Sequence, residues 1–419
     1  MKKSLIFLLL LALALSGCGG KTQPEQTMPT DPVQTRPAQT QETEDPQKHR
    51  VELTLWVTEA RIWAEEELLQ ELLASFADYY PNITVNVSHV SAGALKGQLP
   101  DLVLGDTADL KKLAEEGKLQ NLDGIWQTIG DAYPGVANAC SGEAGYFAMP
   151  LCVVADCMAI RLADFEAAEA DMLINTTTHT WIGSNFLRAA ANLAEAGKEN
   201  PVSLYCKDTA GDAYTRLLVE NFGSGRFVKT LNNTYQIESE AMTQALGSLS
   251  NAPGVVWRAD LDAAGALEEF LAGKSAMVLN WNSSLQLEHG GGGIVYMLYP
   301  SSNRCHLYGK VYAAVVCATA DARREAASMT LAAFLRDSGE AVRATQQLPA
   351  RESGLGAYEG TSLETAMKDL ARLLSCMEEE VPGNNWEAAR AEWVSLLQNL
   401  AEGKDLSESI EACRTALAK

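Results

Sequence analysis

The sequence predicts a mixed α/β protein in two domains, its sheets mostly parallel with helices on both faces. Three observations lead there. Strand-period and helix-period segments alternate from Val51 onward. The roughly 370 residues behind an N-terminal polar stretch suit two hydrophobic cores better than one. The alternation also restarts, with more helix, after residue 153.

The first segments concern location. Lys2 and Lys3 precede an apolar run over residues 5–15, which ends at Leu15-Ser16-Gly17-Cys18. The run falls short of the about 20 apolar residues a bilayer span needs. With small residues ahead of a cysteine it reads as an export signal over residues 1–17. It resembles the bacterial lipobox, in which the cysteine, here Cys18, carries a diacylglycerol and becomes the new N-terminus. Residues 18–50 are rich in Pro, Thr, Gln and Glu and nearly lack large apolar side chains. Too little surface can be buried to offset chain entropy, so an unfolded membrane tether is expected.

Val51-Glu52-Leu53-Thr54-Leu55-Trp56-Val57 alternates as a strand does, and Ile62, Leu69, Leu72, Leu73 and Phe76 then recur at helical spacing until Pro81. Residues 83–87 form a second strand and 99–105 a short buried one. Asp106 or Thr107 caps the next helix, whose stripe is Leu110, Leu113 and Ala114 and whose stop is Gly117. Leu187, Ala190, Leu193 and Ala194 mark a helix ending at Gly197, followed by a strand over 202–205. Helices are expected near 212–222, 239–250 and 262–272, strands near 275–280, 294–299 and 312–317, and helices near 322–337, 362–377, 385–401 and 406–417. The glycines at 290–293 precede a strand, so they make a turn and not a phosphate cradle, which would open a helix.

A net charge of −21 without any Lys/Arg-rich run excludes a nucleic-acid footprint. The eight cysteines after Cys18 form no CxxC or finger spacing and sit among apolar neighbours, so buried thiols are expected. No GxSxG elbow, HExxH helix, Walker loop or kinase signature occurs, and the five histidines are scattered. No metal, cofactor or enzyme activity is expected, although counting carboxylates leaves a glycosidase pair open.

Pro100-Asp101-Leu102-Val103-Leu104-Gly105-Asp106, continuing to the segment Leu119-Gln120-Asn121-Leu122-Asp123, opens a series of landmarks. Next come Tyr146-Phe147-Ala148-Met149-Pro150-Leu151, Thr180-Trp181, and Phe270-Leu271-Ala272-Gly273-Lys274 with Asn280-Trp281. Leu348-Pro349-Ala350-Arg351 and the closing 400–416 segment complete it. In this order they resemble the family 1 extracellular solute-binding proteins of ABC importers, the maltose-binding-protein type. The resemblance implies a two-lobed periplasmic-binding-protein-like fold of type II, with lobe I in 51–152 plus 312–347 and lobe II in 153–311 plus 348–419. Hinge crossings would lie near 150–156, 312–320 and 345–352. It further implies a monomeric, lipid-anchored receptor outside the cytoplasmic membrane that captures a sugar and hands it to an ABC permease. A sensory or scaffold lipoprotein, or a receptor for another solute, remains the alternative; a secreted hydrolase is least favoured.

Open α/β sheets bind ligands at the carboxyl ends of their strands. Sugars offer flat CH faces to aromatics and hydroxyls to Asp, Asn, Arg and Gln. The candidate ligand residues are therefore Thr58, Glu59, Arg61 and Trp63 after the first strand, Asp106 at a strand–helix junction, Trp281 and Asn282, Arg351, and Trp386 at a helix start. Each has a plainer alternative: Asp106 as a helix cap, Trp56 and Trp281 as core, Arg351 as a ligand of hinge carbonyls. Trp181, Trp257 and Trp393 are read as packing residues.

Overall fold

The computed structural model describes residues 50–58, 66–127, 130–225, 227, 235, 237, 239–378 and 385–418. The export signal, Cys18, the tether up to residue 49, and Glu59, Arg61, Ile62 and Trp63 lie outside the described residues.

Strand β1 (Val51–Val57) buries Leu53, Leu55 and Val57 on one face. Helix α1 (Glu66–Tyr79) covers the sheet with Leu69, Leu72, Leu73 and Phe76, the i, i+3, i+4, i+7 stripe read from sequence. Strand β2 (Ile83–His89), β3 (Leu102–Asp106) and α2 (Thr107–Glu115) follow. Gly117, at φ +68°, ends α2 in the left-handed region. Short helices α3 (Asp123–Trp126) and α4 (Pro134–Ala139) and the small hairpin β4 (Ser141–Gly142) to β5 (Gly145–Tyr146) lead to β6 (Met149–Arg161).

Beyond β6 come α5 (Leu162–Ala167), α6 (Gly183–Glu195), β7 (Asn200–Tyr205), α7 (Asp212–Gly223), α8 (Glu240–Ser250) and β8 (Val255–Arg258). Then follow α9 (Ala263–Leu271), β9 (Ser275–Asn282), α10 (Ser283–His289) and β10 (Ile294–Met297). The glycines at 290–293 form the turn between α10 and β10. The chain returns through β11 (Gly309–Val316), α11 (Ala322–Asp337), α12 (Gly339–Thr345) and β12 (Leu348–Pro349), and closes with α13 (Glu364–Leu374), α14 (Trp386–Ala401) and α15 (Leu406–Leu417).

The strands join in the order β2-β1-β3-β11-β6-β9-β7-β8, with β10 and β12 also on β6. The pairs β1–β2, β1–β3, β7–β8 and β7–β9 are parallel, whereas β6 and β11 run against their neighbours. β6 belongs to both halves. Its residues 149–155 pair with β11, and its residues 156–160 pair with β9. The first crossing, expected near 150–156, is thus the middle of one continuous 13-residue strand.

The other two crossings differ from expectation. Gly309 already pairs with Ala155 and Tyr312 with Asp106, so the second passage lies at 307–309, ahead of the expected 312–320. Leu348 and Pro349 still bond to β6, and the Tyr358 hydroxyl donates to the carbonyls of Val342 and Gln347. The third passage therefore follows residue 358 and precedes α13, later than 345–352. Trp257 lies on strand β8. Trp181 and Trp393 are packed as expected, with indole N–H groups donating to the Leu298 carbonyl and the Thr215 hydroxyl at 2.8 and 3.0 Å. Eight cysteines from Cys140 to Cys413 are free thiols, and only Cys376 among them is not buried.

Candidate functional site

The parallel pattern puts the carboxyl ends of β1 and β3 at one edge of the first half-sheet. Antiparallel β11 and β6 bring Gly309, Lys310 and Ala155 to that same edge. In the second half, β9 ends at Asn282 opposite Asp156, with β7 ending at Tyr205 alongside. The two edges meet around Lys310 and Asp156, and this junction is the candidate cleft.

On the first side, Asp106 is nine-tenths buried at the end of β3. One oxygen accepts the Ala108 N–H at 3.0 Å and so caps α2. The other lies 3.8 Å from Lys310 Nζ. Asp106 is therefore the helix cap that the sequence suggested, and its second oxygen faces the Lys310 ammonium. The Thr58 hydroxyl donates to the Leu104 carbonyl at 3.2 Å. It also lies over Gly105, where a Cβ would come within 2.3 Å of Thr58 Oγ1. A Cβ at this position would require the Thr58 side chain to rotate away.

On the second side, half-buried Asp156 lies among tyrosines. The Tyr214 phenol stands beside the Asp156 carboxylate and the Asn282 side chain, near enough for both to act on its proton. The negative charge of Asp156, then burial, pushes the Tyr214 phenol well above its usual pKa. Burial, helped by Asp156, does the same for Tyr205 and Tyr299. These phenols stay protonated across the physiological range and act as donors. Asn282 also caps α10, its Oδ1 accepting the Leu285 N–H at 2.9 Å. The cleft therefore holds two carboxylates, an ammonium, an amide and a phenol, a set that satisfies hydroxyl-rich ligands by hydrogen bonding.

The remaining candidates separate. Trp281 is wholly buried, its edge against Phe270 at 5.6 Å and its N–H on Gln286 Oε1 at 2.9 Å. It is core, not an open aromatic platform; β9 is covered on both faces and its last alternation points Trp281 inward. Arg351 donates to the Arg336 carbonyl at 2.8 Å and pairs with Asp337 at 3.4 Å, tying the chain to the end of α11 and away from the cleft. Trp386 is half-buried with the Arg216 guanidinium 4.5 Å over its ring. Arg216 and Arg390 share the buried carboxylate of Asp212. Trp386 thus stands beside the first turn of α7, with one face taken by a cation. A groove of about 660 Å³ lies on the outer helices α1, α11 and α12, lined by Tyr79, Tyr80 and Phe334, and holds none of the candidates.

Asp156, Tyr214 and Lys310 were not singled out from sequence. For Asp156 the signal was present, a lone carboxylate inside the otherwise apolar MPLCVVADCMAI run. Tyr214 and Lys310 carry no comparable mark.

Among the described residues no helix is long and apolar enough to cross a membrane, and no cluster of metal-ligating side chains occurs. No curated protein sequence is significantly similar to the chain. Among solved structures, the fold is similar to the sugar-binding protein MalE of Xanthomonas citri, with 15% identity and a TM-score of 0.70 over 88% of this chain and 98% of that one. It is similar to the cyclic alpha-maltosyl-1,6-maltose binding protein of Arthrobacter globiformis, with 15% identity and a TM-score of 0.68 over 88% and 98%. Maltose-bound MalE3 of T. maritima matches with 15% identity and a TM-score of 0.62 over 88% and 99%. Such low identities bear on the fold alone, which is the two-lobed α/β architecture of these proteins. The family model of the bacterial extracellular solute-binding proteins matches residues 63–329, more than half of the sequence, and the chain belongs to that family.

Proposed function

We propose that the protein is an exported receptor, anchored through a lipid on Cys18, that captures a mono- or oligosaccharide between its lobes and delivers it to an ABC importer permease. The observation that carries this is the cleft itself. Asp106 and Lys310 face it from one half-sheet, and Asp156, Tyr214 and Asn282 from the other. A ligand that bonds to both sets stabilises the closed form and nothing else does, because only differential contact shifts such an equilibrium. The sugar ligands named for the similar structures agree with this donor and acceptor set. The N-terminal pattern and polar tether supply the anchor that a receptor needs to stay near its permease.

The test is a ligand panel of maltose, maltotriose, cycloalternan, acarbose and tagatose against the purified protein. Tryptophan emission and melting temperature are the readouts. A binding sugar raises the melting temperature by mass action, about 2.7 kcal/mol of added stability at 100 times Kd. A panel extended across sugar classes that produced neither an emission change nor stabilisation would remove carbohydrate as the ligand.

A further inference from the structure

We infer that Glu220 is a positioning residue that ties the cleft carboxylate Asp156 to the second passage between the lobes; this rests on the cleft being the binding site. Glu220 is 2% exposed on α7. Its Oε2 accepts from His306 Nε2 and from the Tyr308 hydroxyl, both at 3.0 Å, and its Oε1 accepts the Phe227 N–H at 2.9 Å. The next residue grips the same segment. Asn221 Oδ1 accepts the His306 N–H and Asn221 Nδ2 donates to the His306 carbonyl, each at 2.9 Å.

Residues 306–308 are the strand entry into β11, which carries Lys310 to the cleft. The Tyr308 carbonyl in turn accepts the Asp156 N–H at 2.9 Å. Less than two helical turns before Glu220, Tyr214 of the same helix stands beside the Asp156 carboxylate. Helix α7 therefore holds the Asp156 backbone through Glu220 and Tyr308, and places Tyr214 beside its side chain. A buried carboxylate persists only where its donors are supplied, and here the donors come from two separate segments. Packing alone calls for no charge at this position. Glu220 makes the spacing between α7 and the passage a single rigid distance, so the cleft groups of both lobes keep one register during closure.

The test uses hydrogen exchange on the whole unliganded protein, comparing wild type with Glu220→Gln. The amide matches the size of the carboxylate but presents a donor where Oε2 accepts two bonds. Exchange is expected to accelerate at least fivefold in peptides covering 305–310 and also in 154–158, with 51–57 and 83–89 unchanged. Acceleration confined to 227 and 305–308, with 154–158 at the wild-type rate, overturns the inference and leaves a local clamp. Tyr308→Phe removes one donor and no charge; it carries the same comparison should Glu220→Gln fail to fold, and a wild-type rate at 154–158 in that variant overturns the inference equally. Failure of every sugar to bind the wild-type protein would sink the carbohydrate proposal while leaving the exchange result on Glu220 to stand by itself.

Discussion

The Pro-Asp-Leu-Val-Leu-Gly-Asp segment carries two aspartates with separate tasks, and replacing the first with Asn tests that separation. Asp101 is 7% exposed. Its Oδ2 accepts the Thr54 N–H at 2.7 Å and the Thr54 hydroxyl at 2.8 Å, and its two oxygens receive Arg324 at 2.8 and 2.6 Å. It thereby pins β3 to β1 and to the first turn of α11. Arg324 is 43% exposed, so water replaces much of what it loses in Asp101→Asn, and that part is worth at most about 1 kcal/mol. Weakening the bonds from Thr54 adds about 1 kcal/mol. The expected loss is about 2 kcal/mol, or about 2–3 °C in melting temperature at roughly 2.1 cal/mol/K per residue. The pH dependence gives the sharper assay. Burial alone would raise the Asp101 carboxyl, but Arg324 and Thr54 outweigh it and hold its pKa below the usual value. With the folded value depressed, the stabilisation is complete above the unfolded value of about 3.9 and is lost as pH falls through the folded one. Melting curves of wild type and Asp101→Asn should differ at pH 6 and converge as pH falls below the ordinary carboxylate range. Equal stability at pH 6, or a gap that does not narrow as pH falls, would refute this account of Asp101.

Trp281→Ala is expected to destabilise the protein by about 3–5 kcal/mol, because it empties a fully buried site. Thermal melts check it, and an unchanged melting temperature with a selective loss of sugar binding would return Trp281 to the cleft. Tyr214→Phe should weaken the best sugar of the panel about fivefold to tenfold, the worth of one hydrogen bond between uncharged groups at about 1 kcal/mol. Titration by tryptophan emission reads it, and an affinity within twofold of wild type removes Tyr214 from the site. Gly105→Ala should cost about 1–2 kcal/mol, since the Thr58 hydroxyl must rotate away from the Leu104 carbonyl to admit a methyl group. A Gly105→Ala, Thr58→Ala double variant should recover most of that in urea melts; strictly additive losses would show that the contact is not the cause.

The elements most legible in the sequence were those with one buried face. Leu69, Leu72, Leu73 and Phe76 show the helical period because α1 is half in water, and β1 alternates for the same reason. The Asp106 cap was legible because a helix start leaves backbone donors that a carboxylate satisfies. β6 was not, since a strand covered on both faces has no period to display. That omission concealed Asp156, whereas the first crossing, expected near 150–156, lies within β6. Trp281 failed for a related reason. Its place after a buried strand suggested a loop platform, yet β9 runs on through Asn282, and whether the last inward position holds core or ligand depends on the depth of the neighbouring helices. Arg351 was sited by a family-like segment, but its partners Arg336 and Asp337 come from a helix end fifteen residues earlier in the chain, a tertiary pairing with no local sequence mark.

One consequence of β6 serving both halves is that hinge and site cannot be varied independently. Between Val154 and Asp156 the strand changes partners, from β11 on one side to β9 on the other. Any bend between the lobes must be taken up there or in the two shorter passages. Asp156 is the first residue past the change of partner, so its carboxylate moves with the second half while its backbone N–H stays bonded to Tyr308 at the start of the first. A polar group in such a place senses the angle between lobes directly. Under the proposed function, an apolar residue here would pack as well but offer nothing to a ligand, which is the role that proposal gives the carboxylate.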